Sequence, residues 1–244
     1  MKIAVISDIH IGDEKFEKNL SGFEEFLDYL ERNFDEIVLL GDIIETYWCV
    51  FPWQTAKIYK RNLEKYNRIT KRFSENPYIF LSGNHDNIAY RKWKIPYRYS
   101  KEIDGMKILF THGHELDTVY RNYFTVKFVE LFMWAGYRLK KMGFPFLYDY
   151  GYKVDHKNNV ENGGIQYTLA AKKYIVEEKF NLVVMGHTHV EKIVSFGNGK
   201  YINSGDCLTR KMFVAIDTNT KKTTLNYFLG GKVIKKISKP LEKY

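Results

Sequence analysis

Short runs of apolar, mostly β-branched residues recur along the chain: Ile3-Ala4-Val5-Ile6, Ile37-Val38-Leu39-Leu40, Tyr78-Ile79-Phe80-Leu81, Ile108-Leu109-Phe110 and Leu182-Val183-Val184-Met185. Runs this short, without polar alternation, predict strands covered on both faces. Between them the period lengthens. Phe16, Leu20, Phe23, Leu27, Leu30 and Phe34 follow one another at alternating steps of four and three, which predicts one helix with a single apolar face. After an aromatic loop (Tyr47, Trp48, Phe51, Trp53), a second helix is predicted from Gln54 to Phe73. Asn76-Pro77 ends it, since the residue before proline is pushed out of helical backbone. The Asp104-Gly105 turn introduces the fourth strand, Lys107 to Phe110.

Farther on, a helical stretch dense in Phe, Tyr and Trp is expected from Val119 to Met142, followed by an aromatic loop from Phe144 to Tyr152 and a helix from Ile165 to Lys179. The end of the chain changes character. Lys192 to Phe196, Lys200 to Asn203, Met212 to Asp217, Thr223 to Leu229 and Val233 to Ile237 read as short strands, with turns at Asn198-Gly199 and Gly230-Gly231. The expectation is an antiparallel meander closing an α/β fold, as a mixed sheet or a two-sheet sandwich flanked by helices. No internal repeat or low-complexity segment is present, and residues 1–244 are read as one domain.

Each of the first five strands runs into a polar cluster: Asp8-Ile9-His10, Gly41-Asp42, Gly83-Asn84-His85-Asp86, Thr111-His112-Gly113-His114 and Gly186-His187-Thr188-His189. Ligands of open α/β sheets bind at the carboxyl edge of the strands, and six of the seven histidines are gathered there. Asp8 and His10, one residue apart, can converge on a cation. Asp42 has two oxygens with which to bridge two cations, Asn84 offers a neutral amide oxygen, and His112, His187 and His189 supply nitrogens. This nitrogen and oxygen set without thiolates suits Mn²⁺ first, with Fe or Zn²⁺ as alternatives. Two such cations activate a hydroxide and clamp the oxygens of a displacement at phosphorus. The seventh histidine, His156, lies in a polar loop and is expected to be solvated.

Composition narrows the partners. The chain has 38 Lys and Arg against 29 Asp and Glu, a formal charge of +9, so an anionic phosphate substrate is favoured. Cys49 and Cys207 cannot form a disulfide framework and read as free thiols. The first strand follows Met1-Lys2 directly, so no cleavable signal is expected and a cytoplasmic location follows as an expectation.

The order DxH, GD, GNHD, HGH and GHTH over residues 8 to 189 resembles the calcineurin-like metallophosphoesterases. The resemblance implies a four-layer α/β/β/α sandwich with mixed sheets. It implies one metal held by Asp8, His10, Asp42 and His189, and another held by Asp42, Asn84, His112 and His187. His85 then faces substrate as transition-state stabiliser or proton donor, and Asp86 orients it. His112, directly after its strand, is the expected ligand and His114 a neighbour of metal or substrate, with the reverse assignment as the alternative. Gly41-Asp42-Ile43-Ile44-Glu45 with Trp48, His112 through Asp117, and Tyr201 through Cys207 further resemble UDP-2,3-diacylglucosamine pyrophosphatases. Glu45 is thereby expected beside the metals or the substrate. The enterobacterial-type enzymes carry Arg where this chain has His85, which leaves the substrate open.

Two segments admit several readings. Lys57, Arg61, Lys65, Arg68 and Arg72 line one side of the second helix, either as a solvated face or as a rim that attracts anions. The segment 119–142, within an insertion at about 118–155, reads as a core helix, as one side of a homodimer interface, or as a lid that holds acyl chains and touches a membrane peripherally. The expected activity is hydrolysis of a phosphoester or pyrophosphate bond, on a nucleotide- or lipid-linked substrate. The alternatives are a nuclease or cyclic-nucleotide phosphodiesterase, with nucleic acid as partner, and a non-catalytic scaffold resembling a retromer subunit.

Overall fold

Period-two burial divides the interior into three layers. In β1 (Lys2–Ile6), Ala4 and Ile6 face one apolar cluster while Ile3 and Val5 face another. In β2 (Glu36–Leu40), Ile37 and Leu39 join the first, and Val38 and Leu40 the second. In β5 (Met106–Thr111) and β6 (Leu182–Met185), Ile108, Phe110, Leu182 and Val184 enter that second cluster, whereas Leu109, Val183 and Met185 enter a third. The uninterrupted apolar runs are therefore strands buried on both faces. Two sheets stack through the middle cluster, and helices cover each outer face.

These relations come from a computed structural model that describes residues 1–20, 22–46, 51–117, 123–156 and 164–235. Besides the strands named above it contains β3 (Tyr78–Leu81), β4 (Arg98–Ile103), β7 (Lys192–Phe196), β8 (Gly199–Asn203), β9 (Met212–Asp217), β10 (Lys222–Leu229) and β11 (Lys232–Lys235). One sheet has the order β11-β10-β9-β1-β2-β3 and the other β4-β5-β6-β8-β7. In the first, β1, β2 and β3 are parallel and β9 joins β1 antiparallel. In the second, β5, β6 and β8 are parallel. The carboxyl ends of six parallel strands thus meet at one edge of the sandwich.

The helices are α1 (Glu14–Lys18), α2 (Phe23–Asn33), α3 (Pro52–Lys65), α4 (Asn67–Thr70), α5 (Ile88–Trp93), α6 (Tyr123–Lys141), α7 (Phe146–His156), α8 (Ile165–Val176) and α9 (Cys207–Arg210). The expected single helix over Phe16 to Phe34 is two, because Gly22 takes a left-handed φ of 73° at the start of α2. The helix expected from Gln54 to Phe73 breaks at Tyr66, whose hydroxyl donates to Glu17. The aromatic loop after Phe144 is instead helical: Gly143, at φ 93°, ends α6, and Pro145 opens α7. The meander is also corrected. β7 and β8 belong to one sheet and β9 to β11 to the other. Tyr47, Trp48, Cys49, residues 119–122 and 236–237, and the His156 side chain lie outside what is described.

Packing narrows the readings left open for the helices. Lys65 pairs with Glu17, Arg68 with Glu24, and Arg72 with Asp28 and Glu31. The lower half of the basic stripe, from the end of α3 through α4 to the turn at Arg72, is thus a clamp onto α1 and α2 rather than an anion-attracting rim. The core-helix reading of 119–142 does not hold for α6, where Phe124 is 81% and Phe128 68% exposed. Gly136 of α6 lies against the Tyr148 backbone of α7, and Lys140 Nζ sits 3.9 Å from the Tyr148 ring centre. No helix among the described residues is long and apolar enough to cross a membrane.

Candidate metal centre

The backbone that leaves the strands is bent in one characteristic way. Asp8, His10, Asp42, His187 and His189 have φ of 55°, 52°, 54°, 69° and 56°, the left-handed region that costs non-glycine residues about 1 kcal/mol or more. The surroundings hold the bends. The amides of Ile9 and His10 both donate to the Asp42 carbonyl at 3.0 Å, and Asp8 N donates to Gly41 O at 3.1 Å. Across the sandwich, Gly186 N donates to His112 O at 3.1 Å and His187 N to Asp8 Oδ2 at 3.2 Å. Glycine is required where loops touch. A Cβ on Gly83 would overlap the Asp42 carboxylate, and one on Gly41 would lie 2.6 Å from the His112 ring.

Hydrogen bonds then aim each ring. His112 is fully buried, and its Nδ1–H donates to the Leu40 carbonyl at 2.8 Å. Its Nε2 is left 3.2 Å from both Asp42 Oδ2 and Asn84 Oδ1. His10 Nδ1–H donates to Glu45 Oε2 at 2.9 Å, and His85 Nδ1–H donates to the same oxygen at 2.8 Å. His85 thereby turns Nε2 inward, 3.9 Å from Asp42 Oδ2. His189 Nε2 approaches Asp8 Oδ1 at 3.5 Å, and its ring stacks on that of His10 at 5.2 Å.

Three carboxylates, Asp8, Asp42 and Glu45, are each no more than 3% exposed here. A buried carboxylate without positive compensation costs several kcal/mol. Without a cation the imidazoles take up that charge. Burial lowers the His112 pKa, but the Asp42 charge and hydrogen bond outweigh it and push it up to about 10. Burial likewise opposes His85, which Glu45 and Asp42 push up to about 9. His114 is different: burial and the neighbouring His112 and His187 hold it well below the usual imidazole range.

The donor set fits metal ions. The buried atoms Asp8 Oδ1 and His10 Nε2 make no hydrogen bond among the described residues. Donor atoms of Asp8, His10 and His189 lie within 4.8 Å of one another, as do those of His10, Asp42 and His85, and those of Asp42, His112 and His187. Asp42 belongs to two of these groups, so a cation on each side of it would replace the compensating imidazolium charges.

The structure therefore brings together every residue the sequence nominated as a ligand. Two neighbours need restating. Asp86 does not touch the His85 ring. Its carboxylate accepts from the backbone amides of Gly83, Ile43 and Ile44, and so ties the loop after β3 to the loop after β2. Glu45 orients His85 instead. His114 is buried, 5.5 Å from the His112 ring centre and 5.7 Å from that of Tyr97. Sequence reasoning passed over the roles of two acids. Asp206, after β8, lies 3.9 Å from His189 Nδ1, and Asp117 lies 3.9 Å from His187 Nε2. Their only signal was the motif company they keep.

The calcineurin-like phosphoesterase family model matches residues 1–191. The DNA polymerase II small subunit of Methanothermobacter thermautotrophicus is 21% identical over 250 residues, which cover 88% of this chain and 49% of that protein. The chain spans about half the length of the polymerase subunits it matches. The UDP-2,3-diacylglucosamine hydrolase of Shewanella pealeana is 23% identical over 220 residues, 82% of this chain and 87% of that protein. A single-mutant Vps29 from Entamoeba histolytica has the same fold, with a TM-score of 0.51 at 14% identity and 97% of each chain covered.

Proposed function

The chain belongs to the calcineurin-like phosphoesterase family, and from that premise we propose that it hydrolyses a phosphoester or pyrophosphate bond at a pair of divalent cations. The observation that carries this reading is Asp42, whose buried carboxylate is shared by two donor groups, one with His10 and the part-buried His85 and one with His112 and His187. Asp8, His10, Asp42 and His189 would hold one cation, and Asp42, Asn84, His112 and His187 the other. Mn²⁺ is the cation proposed, with Fe or Zn²⁺ accepted by the same donors. When bound, the pair supplies Lewis-acid stabilisation of charge on phosphoryl oxygens and lowers the pKa of water.

The chain's own residues do the rest. His85 hands the proton on Nε2 to the departing oxygen, a step for which Glu45 keeps Nδ1 protonated and the ring turned inward. Asp86 keeps the loop bearing Asn84 and His85 against Asp42 through its amide contacts. For substrate, the chemistry proposed is a nucleotide- or lipid-linked pyrophosphate like UDP-2,3-diacylglucosamine, a reading supported by the relative of that name along most of both chains. The exposed Phe124, Phe128 and Leu131 of α6 and Phe146 and Tyr150 of α7 would rest on a lipid surface, as a lid on a cytoplasmic enzyme. A homodimer through the same face is the competing use of it.

A second reading, hydrolysis of nucleic acid, is favoured by unpaired cations and exposed rings beside the catalytic loop, developed below. With Mn²⁺ present, UDP-diacylglucosamine, a phosphomonoester, a phosphodiester reporter and single-stranded DNA separate these readings. Turnover of the sugar nucleotide is expected. Cleavage of DNA alone would overturn the lipid-side substrate while leaving the chemistry.

A further inference from the structure

One face of the molecule carries cations that no acid among the described residues neutralises. On α3, Trp53, Lys57 and Lys60 recur at steps of four and three and are all exposed. α5 packs on the flank of α3 through Trp93 against Tyr59, ring centres 5.0 Å apart, and adds exposed Tyr90 and Lys92. Lys57, Lys60 and Lys92 make no ion pair among the described residues, whereas Lys65, Arg68 and Arg72 are all paired with acids of α1 and α2. The rings are open to a partner as well: Trp53 is 68% exposed and stacked on Phe51 at 4.7 Å, and Tyr90 is 44% exposed. The pattern differs from that of α6 and α7, where apolar side chains form a stripe. Here cations and flat rings are interleaved.

We infer that the α3–α5 face binds single-stranded nucleic acid. Uncompensated cations select a polyanion, and open aromatic faces select unpaired bases, since a duplex hides its bases' π-faces. The face also leads to the metal centre. α5 follows directly on the loop that carries Asn84, His85 and Asp86, so its exposed side chains stand next to the residues proposed to hold the cations. A strand held on α3 and α5 would therefore bring a phosphodiester toward the cations. That delivery rests on the phosphoesterase reading, whereas the binding does not.

The test uses the full chain stripped of metal, so that turnover cannot interfere. Fluorescence anisotropy is measured with a labelled oligothymidylate of about 20 nucleotides, enough to fill a site of this kind. A duplex of the same length and phosphatidylglycerol vesicles serve as competitors. The single strand should bind most tightly. The triple variant Lys57→Glu, Lys60→Glu, Lys92→Glu should bind at least about tenfold more weakly, and the slope of log affinity against log salt should fall by about 2, three contacts at about 0.7 each. Trp53→Ala with Tyr90→Ala should weaken binding about 5- to 150-fold for each stack lost. Both variants should keep the parent's far-ultraviolet circular dichroism and melting temperature, which shows them folded. Unchanged binding in the variants, or equal displacement by duplex or vesicles, would overturn the inference. If oligonucleotide binds as expected but none of the four candidate substrates is turned over with Mn²⁺ present, the catalytic reading fails and the surface stands.

Discussion

At Gly83 a hydrogen atom in place of a methyl lets the end of β3 lie against the Asp42 carboxylate. Gly83→Ala should therefore displace that carboxylate, and metal content measured on the purified variant should fall with activity, although no ligand has been changed. Full metal content would show that the contact relaxes without consequence. His85→Ala should behave in the opposite way. Its Nδ1 is taken by Glu45 and it is not one of the residues proposed to hold either cation, so metal content should persist while turnover falls about 10²- to 10⁴-fold, the usual range for a lost proton donor. At this scale the sequence is informative about residue types and less so about partners. The five clusters were visible because each follows an apolar run. The Glu45 bridge to both His10 and His85 was not, because it depends on the isolated pairing of Ile11 with Ile44 that brings the two loops together. Asp86, adjacent to His85, suggested a dyad, but its carboxylate turns to three backbone amides instead.

Elements with their own period were legible, and those that depend on a neighbour were not. β4 escaped notice because Arg98, Lys101 and Glu102 mask its alternation, which only the antiparallel pairing with β5 reveals. The break between α1 and α2 hides in a continuous apolar rhythm, and a single left-handed glycine makes it. α7 looked like a loop because Pro145 and Gly151 punctuate it, yet Phe146, Tyr150 and Val154 keep helical spacing. Those side chains and Phe124 and Phe128 of α6 are exposed, and such a face needs a partner. Phe124→Ser with Phe128→Ser should reduce co-sedimentation with lipid vesicles severalfold and leave the melting temperature within a few degrees, since neither ring is packed in the core. Conversion of a dimer to a monomer by the same pair, with vesicle binding unchanged, would assign the face to a second copy instead.

For the whole molecule, the three apolar layers explain why the centre sits where it does. Stacking two sheets through Ile3, Val5, Val38, Phe110 and Val184 brings the ends of β1, β2 and β3 against those of β5, β6 and β8. Proposed ligands far apart in sequence, such as Asp8 and His189, become neighbours through that packing alone. The local pattern foretold the five buried strands and the polar loops after them, though not β4. It could not foretell that the closing strands divide between the sheets, because pairing partners are chosen across the fold. The central claim is that Asp42 joins two cations at this meeting point. Calorimetric titration of the chelator-stripped full chain with Mn²⁺ tests it most directly. Two equivalents should bind, and Asp42→Ala should bind one or none. A parent that takes up no Mn²⁺, or an Asp42→Ala variant that still takes up two with unchanged affinity, would contradict the account.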